Sequence, residues 1–351
     1  MSPALPTLAV VVGVGARTPL GLDAQQTGML LRTGFAAMDQ AALGPEGEPI
    51  TIAHQPAIAD DLRGIERAIA LSQPALDEAL ATVAEPLGSG TRVKLIVNLD
   101  PAVALDEEGA GRLAAALHRS CRSALSDTTL TMGARGEAGA GFALAEALAE
   151  LDKGELDAII LGGIHTDYDE QAIARLADKG RLYDHENLDS IIPGEAAAFV
   201  ALTSERRASR TNLPIQARLC TLATAMEAAR LDNDVPAALA RGATKAMQDA
   251  TLPLEEQEIQ AGWVLSDLSF ELWRMREWQS VLVRANSILG PPYRIDTPAH
   301  RLGALGAAAL PLCLTLAAEG FRADYAPSPI ALIMASSEAG ERAAMVVTAA
   351  N

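Results

Sequence analysis

The sequence predicts a layered α/β fold made of two related halves. Short apolar runs rich in Val, Ile and Ala alternate with stretches of helical apolar spacing along the chain. One pattern occurs twice, from Glu137 to Gly163 and from His300 to Ser336: a polar residue, a first turn of Gly and Ala, an Ala/Leu helix ending at glycine, and a buried strand. The side chains available for the core are small and aliphatic, with 49% hydrophobic residues but only 3% aromatic ones. Small first turns let a helix sit deep against its neighbours, as a helix held between two sheets requires. At 351 residues the chain exceeds the usual single-domain size, which fits two domains or one large duplicated one.

The elements follow in order. LAVVVGVG (8–15) is a buried strand ending in glycines. Residues 18–34 are a turn and then a helix, capped by Asp23 and stopped by Gly34. Residues 40–62, with GPEGEP, read as surface loop. Residues 65–83 have helical spacing with a kink expected at Pro74. RVKLIVNLD (92–100) is a strand, 107–125 a helix, TLTMGAR (129–135) a short strand, and LDAIILGG (156–163) a buried strand after the first repeat helix. A long irregular region then leads to the strand AAAFVALT, in which Glu195 of PGEAAA is expected to bond backbone amides and fix a turn. The second half gives strand 214–225, helix 234–250, strand 262–268, helix 271–288, helix 302–320, and strands 327–336 and 343–349.

Charge and composition exclude several classes. A net charge of −17 opposes nucleic acid and anionic membranes as partners, and scarce aromatics oppose single-strand stacking. The basic clusters SERRASR (204–210) and WRMREW (273–278) read as ordinary helix faces. Cys121, Cys220 and Cys313 are far apart with no CxxC, so they read as buried filler in a reducing cytoplasm, without disulfide or zinc site. The N-terminal apolar run lacks a basic flank and reads as the first strand, and no run reaches the roughly 18 residues of a membrane span. No cofactor is expected: GVGARTPLG lacks the third glycine in phase, and neither a Walker A loop nor a GxSxG elbow occurs. His54, His118, His165 and His185 show no ligand spacing, and HTD after LGGI reads as a surface turn whose His165, Asp167 and Asp169 are too few for a metal.

Several stretches, in order, resemble the β-ketoacyl synthase family of thiolase-like fold. VVGVGARTPLG is similar to that family's first strand and turn, and KGELDAIILGG to its GExDxALAGG strand. GRLYDHENLDSIIPGEAAAFVALTSERRA resembles the segment RPFDxxRDGFVxGEGAGxLVLExxExA. HRLGALGAA is similar to the GHTxGAAG segment, and MASSEAGERAAMVV is a faint echo of the NSFGFGGTNASLV tail. The resemblance spans nearly the whole chain. It implies a five-layered αβαβα thiolase-like fold with two pseudo-symmetric ketosynthase-like halves, residues 1–205 and 206–351.

The departures bear on function. The family's nucleophilic Cys stands 17 residues before the Gly of GE; here that Gly is Gly154 and the position is Glu137. At the first-histidine position the chain has Asp267 or Leu268. The second histidine is retained as His300, but the lysine five residues before it is Ile295. Of the tail's GFGG, Gly340 survives and Ala339 replaces the second Phe. Glu137 and His300 are expected at equivalent helix N-termini, paired so that His300 is raised in pKa and Glu137 depressed. A carboxylate is a poor acyl carrier, so condensation on this chain alone is not expected. Family members with Gln at this place are decarboxylases of malonyl thioesters or silent chain-length partners.

Two functions follow from the resemblance. The first is a non-catalytic, chain-length-factor-like partner in fatty-acid or polyketide metabolism, forming a homodimer or a heterodimer with an active ketosynthase through TLTMG (129–133). The second is an acyl-thioester decarboxylase, hydrolase or acyltransferase using Glu137 and His300. An acyl carrier protein, itself acidic, would need a basic face such as Arg206, Arg207 and Arg210. The chain is shorter than the family's usual length, with the losses expected in residues 35–90, which leaves the acyl tunnel open or filled.

Overall fold

The computed structural model describes residues 5–88, 90–102 and 106–350. The first half runs β1 (Ala9–Arg17), α1 (Ala24–Thr33), β2 (Met38–Ala42), β3 (Pro49–Ala53), α2 (Gly64–Ala81), α3 (Ala84–Leu87), β4 (Val93–Leu99), α4 (Glu107–Ala124), β5 (Thr128–Ala134), α5 (Gly139–Asp152), β6 (Ala158–Thr166), α6 (Glu170–Asp178), β7 (Glu195–Thr203) and α7 (Glu205–Arg210). The second runs β8 (Ala217–Met226), α8 (Arg241–Glu256), β9 (Ala261–Ser266), α9 (Leu272–Arg284), β10 (Leu289–Asp296), α10 (Ala299–Leu302), α11 (Ala309–Arg322), β11 (Ile330–Ser336) and β12 (Glu341–Ala349).

Ten strands hydrogen-bond in the order β10-β9-β11-β12-β8-β1-β7-β6-β4-β5. The two five-strand blocks meet only where Ala9–Val11 of β1 pairs with residues 217–219 of β8. They face each other across α5 and α11, because α5 touches β4 and β6 of one block and β8 and β12 of the other. Inward-facing Ile159, Leu161, Val200, Leu219, Leu265, Ile333 and Met345 share one core with these two helices. The alternate residues Val10, Val12, Leu95, Ile160 and Phe199 point the other way, into a core covered by α2 and α4. Val264, Leu332, Ala344 and Val346 do the same beneath α8 and α9. Period-two alternation thus supplies both faces of each sheet, and the layers read α, β, α, β, α as in thiolase-like folds.

The central helix α11 is apolar nearly all round, as a helix without a solvent face must be, whereas α5 keeps an outer face at Ala145, Glu146, Ala149 and Asp152. Every residue from Ala309 to Gly320 is buried. At Gly141, a Cβ would lie 2.6 Å from the Ala343 Cβ, so a larger residue in this turn would push α5 off β12.

The sequence expectations meet several corrections. Residues 40–62 are not a surface loop throughout: β2 and β3 pair antiparallel, and Ala41, Leu43 and Ile52 form a small core with Tyr168 and Ile173. The GPEGEP residues mark only the tip of that hairpin. The long irregular region contains α6, capped by the Asp169 carboxylate on the amides of Gln171 and Ala172. The helix expected from 234 starts at Arg241, and the one expected from 302 starts at Ala309. An unforeseen edge strand, β10, carries two prolines that a central strand could not accept. Asp23 and Gly34 cap α1 as read, Gly34 at φ +90°.

One buried ion pair anchors the first half. Arg67 and Glu195 have fully buried side chains and bond at 2.7 and 2.8 Å. Glu195 also accepts the Gln55 amide at 2.7 Å and the Thr166 hydroxyl at 2.9 Å. It therefore binds a single backbone amide and works mainly through Arg67, tying α2 to β6, β7 and the loop at Gln55. Substitution Arg67→Met leaves a buried carboxylate without its cation, with an expected loss of about 3–5 kcal/mol in unfolding free energy. Denaturant melts of this variant and of Arg67→Met/Glu195→Met check the assignment: the double variant recovers most of the loss, and equal instability of both rejects it.

Candidate functional site

The carboxyl ends of β4, β5, β6, β9 and β11 converge on a cavity of about 780 Å³. Crevices beyond strand ends are where open α/β sheets place ligands. Its wall includes Asp100, Glu137, His165, Asp167, Asp267, Glu271, Arg274 and Glu338, with Arg135, Arg175 and Lys179 exposed around it.

Glu137 stands just before α5, whose first residue is Gly139. Ser337 fixes that end: its Oγ accepts the Ala138 amide at 2.9 Å and donates to the Arg135 carbonyl. The Glu137 carboxylate is bound by Nη2 of Arg274, on α9. Arg274 also reaches Asp267 at 3.3 Å and Glu271 at 3.5 Å, and donates to the Ser336 carbonyl at 2.6 Å. Asp267 accepts the Ser336 amide at 2.7 Å. Arg181 holds Glu271 at 2.8 Å and Glu338 at 2.7 Å, and Arg342 holds Glu277 at 2.7 Å. Three buried arginines therefore serve five carboxylates. Burial, against the pull of Arg274, pushes the Glu137 carboxyl up to about 7. Burial likewise raises Asp267, with Arg274 opposing it.

His300 does not pair with Glu137. It lies on the short α10, because α11 begins only at Ala309, after Gly303 and Gly306. Its Nδ1 meets the Thr297 hydroxyl at 2.8 Å and its ring stacks on Phe270 at 4.4 Å. Burial holds it below the usual histidine value, with Arg301 adding. Both expected shifts are thus reversed, since Arg274 takes the place assigned to His300. Asp267, rather than Leu268, faces Glu137 through their shared arginine.

His165 is not in a surface turn. The strand β6 continues past Gly163 to Thr166 and carries it into the cavity wall, 8% exposed. Its Nδ1 meets Asp100 and its Nε2 meets Asp167 at 2.9 Å. Burial opposes its charge, but Asp167 and Asp100 override this and hold the imidazole well above its usual value. Asp100 also accepts the amide of Ala307 at 2.9 Å. Among the described residues, no group of three His, Cys, Asp or Glu side chains is arranged to hold a metal ion.

Arg274 and Glu277 were hidden in WRMREW, read as a solvated face. They are buried at 6% and 3% exposure. Their spacing was a usable signal, for Arg274, Glu277, Trp278 and Val281 form a single helical stripe. The three cysteines are buried, as read, which pushes the Cys121 thiol up to about 11. No described helix is long and apolar enough to cross a membrane.

No protein-family model and no curated protein matches the sequence. Solved structures do match. The chain is similar to the ishigamide ketosynthase/chain length factor, with TM-score 0.77 and 17% identity over 99% of this chain and 100% of that one. It is similar to a chain of AntDE:AntF, a type II PKS acyl-carrier protein in complex with its ketosynthase, with TM-score 0.80 and 14% identity over 98% and 100%. It is also similar to the ketosynthase from module 6 of the bacillaene synthase of Bacillus subtilis 168, with TM-score 0.75 and 12% identity over 98% and 72%. The chain has the ketosynthase, thiolase-like fold.

The raised Glu137 carboxyl has a signed consequence. Between the ordinary value of 4.5 and about 7 the native state keeps a proton that the unfolded chain releases. Wild-type stability relative to Glu137→Gln therefore falls as pH rises through that window. Denaturant melts of both proteins at about pH 5 and about pH 8 measure this difference, and curves that stay parallel reject it.

Proposed function

We propose that this chain is a ketosynthase-like subunit without condensing activity of its own. It serves fatty-acid or polyketide metabolism as a chain-length-factor-like partner of an active ketosynthase, or of a second copy. The observation that carries the reading is the ion pair of Glu137 with Arg274 at the position that the resemblance assigns to the nucleophile. Condensation needs a thiolate carrying the acyl group and donors for the developing oxyanion. A carboxylate bound to a guanidinium carries no acyl group. Asp267, at the first-histidine position, already accepts the Ser336 amide and offers no donor when ionised. His300 faces Thr297 and Phe270.

The partner half of the reading rests on β5, which ends the ten-stranded sheet and leaves an open edge. The ishigamide neighbour is a ketosynthase/chain length factor, and the AntDE:AntF complex contains an acyl-carrier protein. For an acyl carrier protein the cavity mouth, with Arg135, Arg175 and Lys179, is the better face. Arg207 of the basic cluster is already engaged by Asp157 at 2.8 Å. The reading keeps two ketosynthase-like halves, with the division expected at residues 205 and 206 moved past the end of α7 at Arg210, and places the chain in the cytoplasm.

A second reading has one observation in its favour: the open cavity reaches Glu137, whose carboxyl at about 7 has the range of a general acid or base. In it, Glu137 would process an acyl thioester without His300, which is turned to Thr297 and Phe270.

Purification from the native host is expected to recover an active ketosynthase with this chain, or a homodimer; a free monomer rejects the partner reading. Mass spectrometry with acyl- and malonyl-thioesters separates the two readings. No turnover is expected, and Glu137→Cys alone is expected to yield no condensation product. Turnover by the wild type that disappears in Glu137→Ala establishes the second reading instead.

A further inference from the structure

A second cavity, of about 100 Å³, lies away from the site described above, between α1, α11 and the strands β9 and β10. In a chain of net charge −17, its lining holds three arginines, Arg32, Arg294 and Arg301, against one carboxylate, Asp296. The nearby carboxylates are already engaged. Asp296 takes Arg294 at 2.8 Å and the Trp263 indole N–H at 2.7 Å, and Glu319 takes Arg322 at 2.6 Å. Arg301 donates to the Gly34 carbonyl, at the end of α1. Among the described residues, neither Arg32 nor Arg301 has a carboxylate within ion-pair distance.

The hydroxyl of Tyr325 completes the lining. It is buried with no hydrogen-bond partner, which is uncommon for a buried polar atom. It lies flush against Gly28, where a Cβ would come within 2.2 Å of it. Arg32 is one turn further along the same face of α1, with its guanidinium 5.5 Å from the Tyr325 ring centre. Burial, with Glu319 adding, pushes the phenol up to about 12, so it keeps its proton and can donate. A water molecule could satisfy the hydroxyl but would bring no negative charge to the two guanidiniums, neither of which has a carboxylate partner. An acceptor-rich anion serves all three donors together.

We propose that this cavity binds a small oxyanion, phosphate or a short carboxylate, held by Arg32, Arg301 and the Tyr325 hydroxyl. Arg32 and Gly28 belong to α1, Arg301 to α10 and Tyr325 to the loop after α11, so the anion fastens α1 to the second half of the chain. The exposed Arg32 leaves the cavity accessible from solvent. The site is independent of the function proposed for the larger cavity.

Isothermal titration calorimetry of the full chain with inorganic phosphate, and separately with acetate, tests this against chloride at matched ionic strength. Saturable one-site binding of at least one anion is expected. Arg32→Gln, on an exposed helix face, is expected to fold normally by circular dichroism and to weaken binding about tenfold. Tyr325→Phe is a second variant that keeps the ring and removes only the donor, and weaker binding is expected there too. The proposal is overturned if neither anion saturates, or if folded Arg32→Gln and Tyr325→Phe both bind as tightly as the wild type.

Discussion

The close seating of α5 and α11 between two sheets is the constraint on which the rest of this structure depends. Over Ala309–Gly320, α11 has no solvent face, and α5 turns a stripe of small and aliphatic residues inward while Glu146 and Asp152 face outward. Their buried backbone ends must still find hydrogen-bond partners without help from water. At the start of α5 no side chain from the helix itself acts as a cap. The Ser337 hydroxyl, from the far half of the chain, takes the Ala138 amide instead. The layered packing therefore brings the end of β11 against the start of α5 and sets Glu137 at the mouth between them.

Two effects compete at Glu137. The start of a helix favours a negative charge by about 0.3–1 kcal/mol at exposed positions. Removing a carboxylate from water costs several kcal/mol even after the protein relaxes. The second is larger, and Arg274 offsets only part of it because it also serves Asp267 and Glu271. With Arg181, Arg274 and Arg342 facing Glu137, Asp267, Glu271, Glu277 and Glu338, the arginines do not cancel the burial that raises Glu137 and Asp267, and the neighbouring carboxylates add to it. The same shortage of cations makes Arg32 and Arg301, which have no carboxylate partner at the smaller cavity, conspicuous.

Much of the fold was legible because it rests on local rules. Alternating apolar runs marked the central strands, Asp23 and Gly34 marked the ends of α1, and small first turns marked the buried helices. Elements whose stability comes from tertiary partners were harder to read. The β2–β3 hairpin is built on few apolar residues and needs Tyr168 and Ile173 to cover it. The edge strand β10 is recognisable only by its pairing with β9. At the site, the sequence pointed to Glu137 and Asp267 but not to the arginine that joins them, because a charged helix segment ordinarily faces solvent. His300 was misplaced by counting a helix from its polar residue, when Gly303 and Gly306 postpone the helix to Ala309. His165 was missed because three more strand residues after Gly163 decide whether it is exposed or buried.

These features bear on what a carboxylate is doing at the start of α5. A passive plug needs only volume, and Leu or Met would supply it without desolvating a charge. The pair of Glu137 and Arg274 supplies something that an apolar residue cannot. It ties the start of α5 to α9, and through the Ser336 carbonyl and Asp267 it ties both to β11 and β9. Elements from the two halves of the chain thereby meet at Glu137. On the partner reading, the residue at this position has exchanged a chemical role for an architectural one. The open cavity beside it then keeps the shape of a substrate chamber while its charged wall is committed to holding the layers together.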